Sequence, residues 1–443
     1  MIREDKILKN LKSAIGGFPE GQTELVCEST EFQLTRFAES QIHQNMGRSD
    51  STVWCRKIVG QKIGVARSND TTKDGLNSLT AVASDIAKNQ KDNPDFNSLV
   101  SSPRTPGAGK IYQSIERSTP ISKAAEISKI IEAAGKKSLN CAGTFETSQT
   151  SLSVVNSLGT EQFGLSGEYR FTLTTVAPNG RSGWAQAAGR DLGKFDIQAV
   201  SQRAIDKASF EGEQTSIPAG LYTVILEPDA VANFMLFLGF LGFGAKTFYQ
   251  KRSFMSGKVG EKIMGDNITI LEDPAHPLIE YLPFDYEGVP RRQVIMIENG
   301  LARNFVSDSF YSNLTKTEST GNGLPPDNNY GPYPKAMVMM AGSTAVEDMI
   351  KSTANGIYVT RFWYLNFLNP MKTLVTGYTR DGTFLIEDGK ISRPLNDLRI
   401  QQSMIEAFSN VESISSEQRL IPQYGALMLA PFMKINNFNL SPS

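Results

Sequence analysis

The chain has 443 residues, 40% hydrophobic and 21% charged, and its 45 Lys and Arg against 46 Asp and Glu leave a formal charge of −1. This is enough chain for two domains or one large one. The composition is that of a soluble globular protein, and the balanced charge gives no electrostatic case for a nucleic-acid or anionic-membrane partner. There are two histidines, His43 and His276, far apart in the sequence, which is too few in the wrong settings for a histidine-based metallopeptidase centre.

In chain order, the opening MIREDKILKNLKSAIGG is charged and amphipathic, without the apolar run of a signal peptide. Ile7, Leu8, Leu11, Ala14 and Ile15 form a helical stripe that Gly16-Gly17 ends. TELVCES, QLTRFAESQIHQNM, TVWCRKIV and QKIGVARS then read as strands joined by short polar turns. Helices are expected over 73–87 and, behind Pro120, over 121–134, with a Ser/Pro/Gly-rich exposed loop over 97–109 between them. LNCAGTFETSQTSLSVVNS, GEYRFTLTTVAP and RSGWAQAAG read as further strands, the last two joined by an Asn179-Gly180 hairpin. A helix over 195–208 follows. The order invites an internal repeat that the residues alone do not demonstrate.

The second half opens with the strand LYTVILEP and a helix over 230–240 whose apolar residues run all round, so protein is expected on both of its sides. The apolar run 231–245 is shorter than the roughly 20 residues that span a bilayer. NITILED, RRQVIMIENG, KAMVMMAG, GIYVTRF and TFLIEDGKI are strand-like, with helices expected over 344–352 and 403–408 and a long loop over 320–334. The reading is an α+β fold: an amino-terminal mixed helix and antiparallel-sheet domain, 1–215, then a sheet-rich carboxy-terminal domain, 216–443. Cys27, Cys55 and Cys141 have no close spacing and suit a reducing compartment, so the expected location is cytoplasmic.

Motifs for chemistry are sparse. No His-Glu-x-x-His, Gly-x-Ser-x-Gly or phosphate-loop spacing occurs. Gly239, Gly242 and Gly244 end an apolar helix and lack the strand-turn-helix order of a nucleotide fingerprint. Cys141 reads as a buried strand residue, and Asp266, Glu272, Asp285 and Glu287 as loop carboxylates more readily than as a metal site. Three segments mix polar and aromatic residues, 284–290, 361–364 and 380–384, and arginine beside aromatics can hold a peptide. The candidate polar site or peptide groove is Lys246, Tyr249, Arg252, Asp285, Glu287, Arg361, Tyr364, Arg380 and Asp381. No catalytic residue, metal ligand or cofactor is assigned.

Several of these segments resemble the TldD/PmbA family, known as modulators of DNA gyrase and associated with proteolysis. They are Thr35-Arg36-Phe37-Ala38-Glu39-Ser40 with Ile42-His43-Gln44-Asn45, which looks like the family's early hairpin, then Phe254-Met255-Ser256-Gly257-Lys258-Val259-Gly260-Glu261, Asp285-Tyr286-Glu287-Gly288-Val289-Pro290 and Ser319-Thr320-Gly321-Asn322-Gly323. Asn355-Gly356-Ile357-Tyr358-Val359, Leu385-Ile386-Glu387-Asp388-Gly389-Lys390-Ile391 and the strand from Phe432 to Phe438 continue it. VTRFWYLNFLNP with TGYTRDGTFLIEDGKI resembles a PmbA-like branch. The resemblance implies a homodimer or a heterodimer with a TldD-like protein, and a peptide ligand, with neither nucleic acid nor membrane. In the catalytic TldD partner a helix carries His-Glu-x-x-x-His and a late cysteine completes the metal site. Here the matching stretch is 236–241, or 240–245 with a small gap, without a histidine or carboxylate, and the region around Gln423-Tyr424-Gly425-Ala426 has no cysteine. A non-catalytic peptide-handling protein is therefore expected. A hydrolase with non-histidine chemistry and a purely structural homodimer remain as alternatives.

Overall fold

The computed structural model describes residues 4–105 and 109–443. The first part of the chain runs α1 (Glu4–Gly16), β1 (Gln22–Ala38), β2 (Gln41–Val59), β3 (Lys62–Ser68) and α2 (Lys73–Asn89). After a short α3 (Gln113–Glu116) come α4 (Pro120–Gly135), β4 (Asn140–Asn156), β5 (Glu161–Val176), β6 (Ser182–Gly189) and α5 (Ile197–Ala208). A helix, three strands and a helix thus occur twice. The two sets share one antiparallel sheet in the order β3-β2-β1-β4-β5-β6, joined where β1 pairs with β4. This is the repeat that the sequence only invites.

The local chemistry explains the ends of these elements. Thr72 caps α2 by accepting from Gly75 N, and Thr119 with Ser122 forms a capping box ahead of Pro120 in α4. One pattern-based expectation needs correcting: QLTRFAESQIHQNM is the end of β1, continuous with TELVCES, and the start of β2, continuous with TVWCRKIV. Glu39 and Ser40, with φ of 50° and 56°, turn the chain between them, at the hairpin the family resemblance implies. Two successive positive φ values make the tight hairpin turn that Asn-Gly usually marks, and Glu-Ser does not announce it. The loop over 97–109 also differs from its expectation of exposure. Leu99 and Ser102 are buried, and Asn156, Thr160 and Gln162 bond its backbone at Val100 and Pro103. Residues 106–108 of that loop lie outside the described residues.

The second part runs β7 (Gly220–Leu226), α6 (Pro228–Gly242), α7 (Ala245–Tyr249), β8 (Ile270–Glu272), β9 (Val294–Glu298), β10 (Leu301–Ala302) and α8 (Ser309–Thr315). It continues with β11 (Ala336–Met339), α9 (Val346–Lys351), β12 (Asn355–Asn369), β13 (Leu374–Glu387), β14 (Lys390–Pro394) and β15 (Leu398–Ser403). It ends with α10 (Met404–Ser409), β16 (Val411–Gln423) and β17 (Ala426–Pro442). These strands make an 11-stranded sheet in which β7, β12, β13, β15 and β17 pair in a closed ring. The fold is therefore α+β, a mixed helical and antiparallel-sheet region followed by a sheet-dominated one.

Helix α6 packs against the ring. Phe234 stacks on Phe362 at 5.1 Å and on Phe438 at 6.1 Å, and the main core cluster surrounds it. Protein does not cover the helix on every side, however: Phe240 is 42% exposed, and Phe237 and Leu241 are only partly buried. No helix among the described residues is long and apolar enough to cross a membrane.

Candidate functional site

Glu227 precedes α6, Pro228 occupies its first turn, and Asp229 follows. Proline there gives up an N–H that has no partner in the helix, so the strand-to-helix turn comes at little cost. Asp229, Asn233, Leu236 and Phe237, spaced so that they fall on one helical face, line a cleft of 540 Å3. Its other walls are Trp184 and Gln186 of β6, residues 361–366 of β12, and Pro422, Gln423 and Tyr424 where β16 turns into β17. The cleft thus draws on both sheets.

Its polar contacts are specific. Asp229 Oδ1 accepts from Trp184 Nε1 at 3.1 Å and Gln186 Nε2 at 2.8 Å. Arg361 donates from Nε to Asp381 Oδ2 at 2.8 Å and from Nη2 to the same oxygen. Its guanidinium lies 3.9 Å from the Trp184 ring centre and 4.9 Å from that of Trp363. Ser182 Oγ donates to the other Asp381 oxygen at 2.6 Å. Behind the wall, Glu227 holds Lys207 at 2.6 Å and Arg419 at 3.2 Å. Burial pushes the Glu227 carboxyl up, but these cations outweigh burial and hold it below the ordinary glutamate value.

A second hollow, of 300 Å3, lies beside α8 and is lined by Arg56, Lys246, Glu287, Asp308, Tyr311 and the 323–331 loop. Glu287 accepts from Ser309 N at 2.8 Å and Ser309 Oγ at 2.7 Å. Arg56 bridges it, at 3.4 Å, to Glu24 at 2.7 Å. Beneath, Asp285 accepts from the backbone N–H groups of Glu287, Val289 and Gly323 at 2.7–2.9 Å. Burial, with Glu287 alongside, pushes the carboxyls of Asp285 and Asp308 up to about 7. The long loop over 320–334 is anchored here, since Thr320, Asn322 and Gly323 are buried and Asn322 donates to Glu272 at 3.0 Å.

The nine candidate residues are therefore divided between places. Arg361 and Tyr364 line the cleft, with Asp381 bonded to Arg361 and Arg380 5.6 Å from the Trp363 ring centre. Lys246 and Glu287 line the hollow, with Asp285 buried beside them. Tyr249 and Arg252 are exposed and line neither. The expected common groove of the Arg361 and Asp285 regions is two separate cavities with no shared lining residue. Sequence reasoning missed Asp229, Trp184, Gln186, Arg56 and Asp308. The one usable signal was Glu227-Pro228-Asp229, an acidic pair at the mouth of an otherwise apolar helix.

The donor set does not fit a metal ion. Leu236, Phe237, Gln423 and Tyr424 all line the cleft, so 236–241 meets the late stretch in space, whereas the gapped alternative 240–245 gives the cleft no lining residue. They bring hydrocarbon, amide and phenol side chains, and Asp229 is the one carboxylate among the described residues that line the cleft. Among the described residues no group of three or more His, Cys, Asp and Glu side chains is placed to hold a metal. His43 is exposed on β2, and His276 sits in a loop, accepting from Leu278 N at 3.3 Å. The three cysteines are buried and free, and burial pushes the Cys141 thiol up to about 11.

Residues 219–442 match the model of the PmbA/TldA metallopeptidase C-terminal domain. A metalloprotease of Methanothermobacter thermautotrophicus is 24% identical over 235 residues, 52% of this chain and 50% of that protein. A TldD homolog, also named a metalloprotease, from Haemophilus influenzae is 27% identical over 238 residues, 51% and 47% of the two chains. The chain thus spans about half the length of these curated relatives. The crystal structure of TldE from Thermococcus kodakarensis superposes with a TM-score of 0.89 at 23% identity, covering 99% of each chain, which establishes a common fold.

Proposed function

The chain belongs to the PmbA/TldD metallopeptidase family, and from that premise we propose that it binds peptides, or helps process them, without metal chemistry of its own. One observation carries the reading: the cleft beside α6 is open and lined with aromatic and amide side chains, with Leu236 and Phe237 of the stretch that the family resemblance, counted without a gap, matches to the ligand helix. Residues 216–443 form the peptidase-like part, and 1–215 the part that lends the cleft Trp184 and Gln186. The protein works in the cytoplasm as a dimer, with itself or with a metal-containing TldD-like relative that supplies the cleavage. Buried free thiols suit that compartment.

The test is metal analysis and peptide cleavage on the purified chain, alone and mixed with a TldD-like protein from the same source. Peptide binding without stoichiometric metal or cleavage is expected of the chain alone, with cleavage appearing in the mixture. Stoichiometric zinc and cleavage by the lone chain overturn the reading. A second reading, hydrolysis by carboxylates, draws on Asp285 and Asp308, whose raised proton affinities fall in the range of a general acid. It requires chelator-resistant cleavage that Asp308→Asn abolishes.

A further inference from the structure

Building on the peptide-binding reading, we infer that the cleft selects peptides carrying a basic side chain, whose ammonium or guanidinium group docks on Asp229. Asp229 is 4% exposed and lines the cleft. Both of its side-chain hydrogen bonds end on Oδ1, so Oδ2 has no donor among the described residues. Oδ2 is not one of the buried side-chain atoms left without a partner, so it faces the open cleft, where a charged donor makes the strongest hydrogen bond a carboxylate accepts.

Among the described residues no cation of the wall bonds that oxygen, although Asn233 and Gln423 also line the cleft with amide groups. Trp184 Nε1 and Gln186 Nε2 already bond Oδ1. Arg361 is the one cation among the described residues that line the cleft, and Asp381 holds it through two nitrogens. Behind the wall, Lys207 and Arg419 are paired with Glu227, and Arg419 also with Glu417 at 2.9 Å. Arg203 gives its Nη2 to the backbone oxygen of Gln186 at 3.2 Å and does not bond Asp229.

The rest of the cleft suits the remainder of such a side chain. Leu236, Phe237 and Phe362 offer apolar surface for a methylene stem, which long basic side chains bury while their charge finds a partner. At the mouth, Tyr364 is 72% and Tyr424 88% exposed, presenting aromatic surface that attracts a cation. An acidic side chain would meet Asp229 as a like charge, and norleucine would fill the apolar wall yet leave Oδ2 without a donor.

The experiment compares labelled heptapeptides identical but for a central Lys, Arg, norleucine, Gln or Glu, titrated against the full chain by fluorescence anisotropy. Lys and Arg peptides are expected to bind about tenfold or more tightly than the norleucine peptide, with Glu weakest. Asp229→Asn, close to isosteric, should erase the Lys-to-norleucine ratio. The comparison among peptides on the unmodified chain stands even if that variant folds poorly. Equal affinities for Lys and norleucine, or a ratio that survives in Asp229→Asn, overturn the basic-side-chain inference and leave peptide binding intact. If no peptide binds at all, the peptide-binding reading fails and this inference with it.

Discussion

At the scale of single residues, Asp285 and Asp308 make stability depend on pH in an unusual direction. Their carboxyls titrate near 7 in the folded chain against the ordinary 3.8, so between these values the folded state holds more protons than the unfolded one. Their contribution is complete below pH 3.8 and is lost as the pH rises through 7. Glu24 and Glu272, also raised by burial, act in the same sense, and Glu227, held down by its cations, acts in the opposite sense at lower pH. Melting temperature should therefore rise as pH falls from 8 to about 5. Asp308→Asn keeps the cap on α8, since asparagine also accepts from Tyr311 N, and should flatten that rise. An unchanged pH profile in the variant would count against the assignment. These residues were only half legible in the sequence. Asp285 and Glu287 stood out in a short polar-aromatic segment, but Arg56, the partner of Glu287, is more than 200 residues away and no periodicity links them.

At the scale of elements, the repeated helix and three strands carry a matched pair of close approaches. A Cβ on Gly64 of β3 would sit 2.0 Å from the backbone oxygen of Ala83 in α2, and one on Gly183 of β6 would sit 2.0 Å from that of Ala204 in α5. Each edge strand thus lets a helix rest on bare backbone. Gly64→Ala and Gly183→Ala should each cost about 1–3 kcal/mol in urea unfolding, as overpacked sites do. Gly47→Ala, with nothing within 4 Å of its Cβ, serves as the neutral comparison. The main helices were readable because apolar spacing at 3.6 residues and clear stop signals coincide, as in α2 and α4. Short α3, α7 and α8 were not expected from the sequence, whereas the equally short α9 and α10 fall within the expected 344–352 and at 403–408. The Glu39-Ser40 hairpin and the closure of the second sheet depend on pairing partners that local patterns do not name. The same holds for the cleft: Trp184 and Arg361 meet because two sheets meet, and no spacing in the chain foretells it.

At the scale of the whole molecule, the two sheets are joined through a seam of polar contacts around a small apolar patch of Val26, Trp54, Leu152 and Val154 against Leu282 and Phe284. Arg56 is one charged tie across it, holding Glu24 of β1 and Glu287 of the loop between β8 and β9. Arg56→Met strips both carboxylates of their cation and should cost about 3–5 kcal/mol. Calorimetry should then show the melting of the two sheets separating into two transitions, whereas a single unshifted transition would mean that the seam holds without this arginine. The ring of the second sheet has a further consequence, in time rather than in energy. Val224 of β7 pairs with Ile435 of β17, so the ring closes only after about 200 further residues have been made. At roughly 5–20 residues per second that is a wait of about 10–40 s. Throughout it the apolar α6, which begins two residues after β7, has left the ribosome without the strands that later bury it. Synthesis therefore exposes the very helix that shapes the cleft, and a cell making this chain must shield a sticky segment before it gains a binding site.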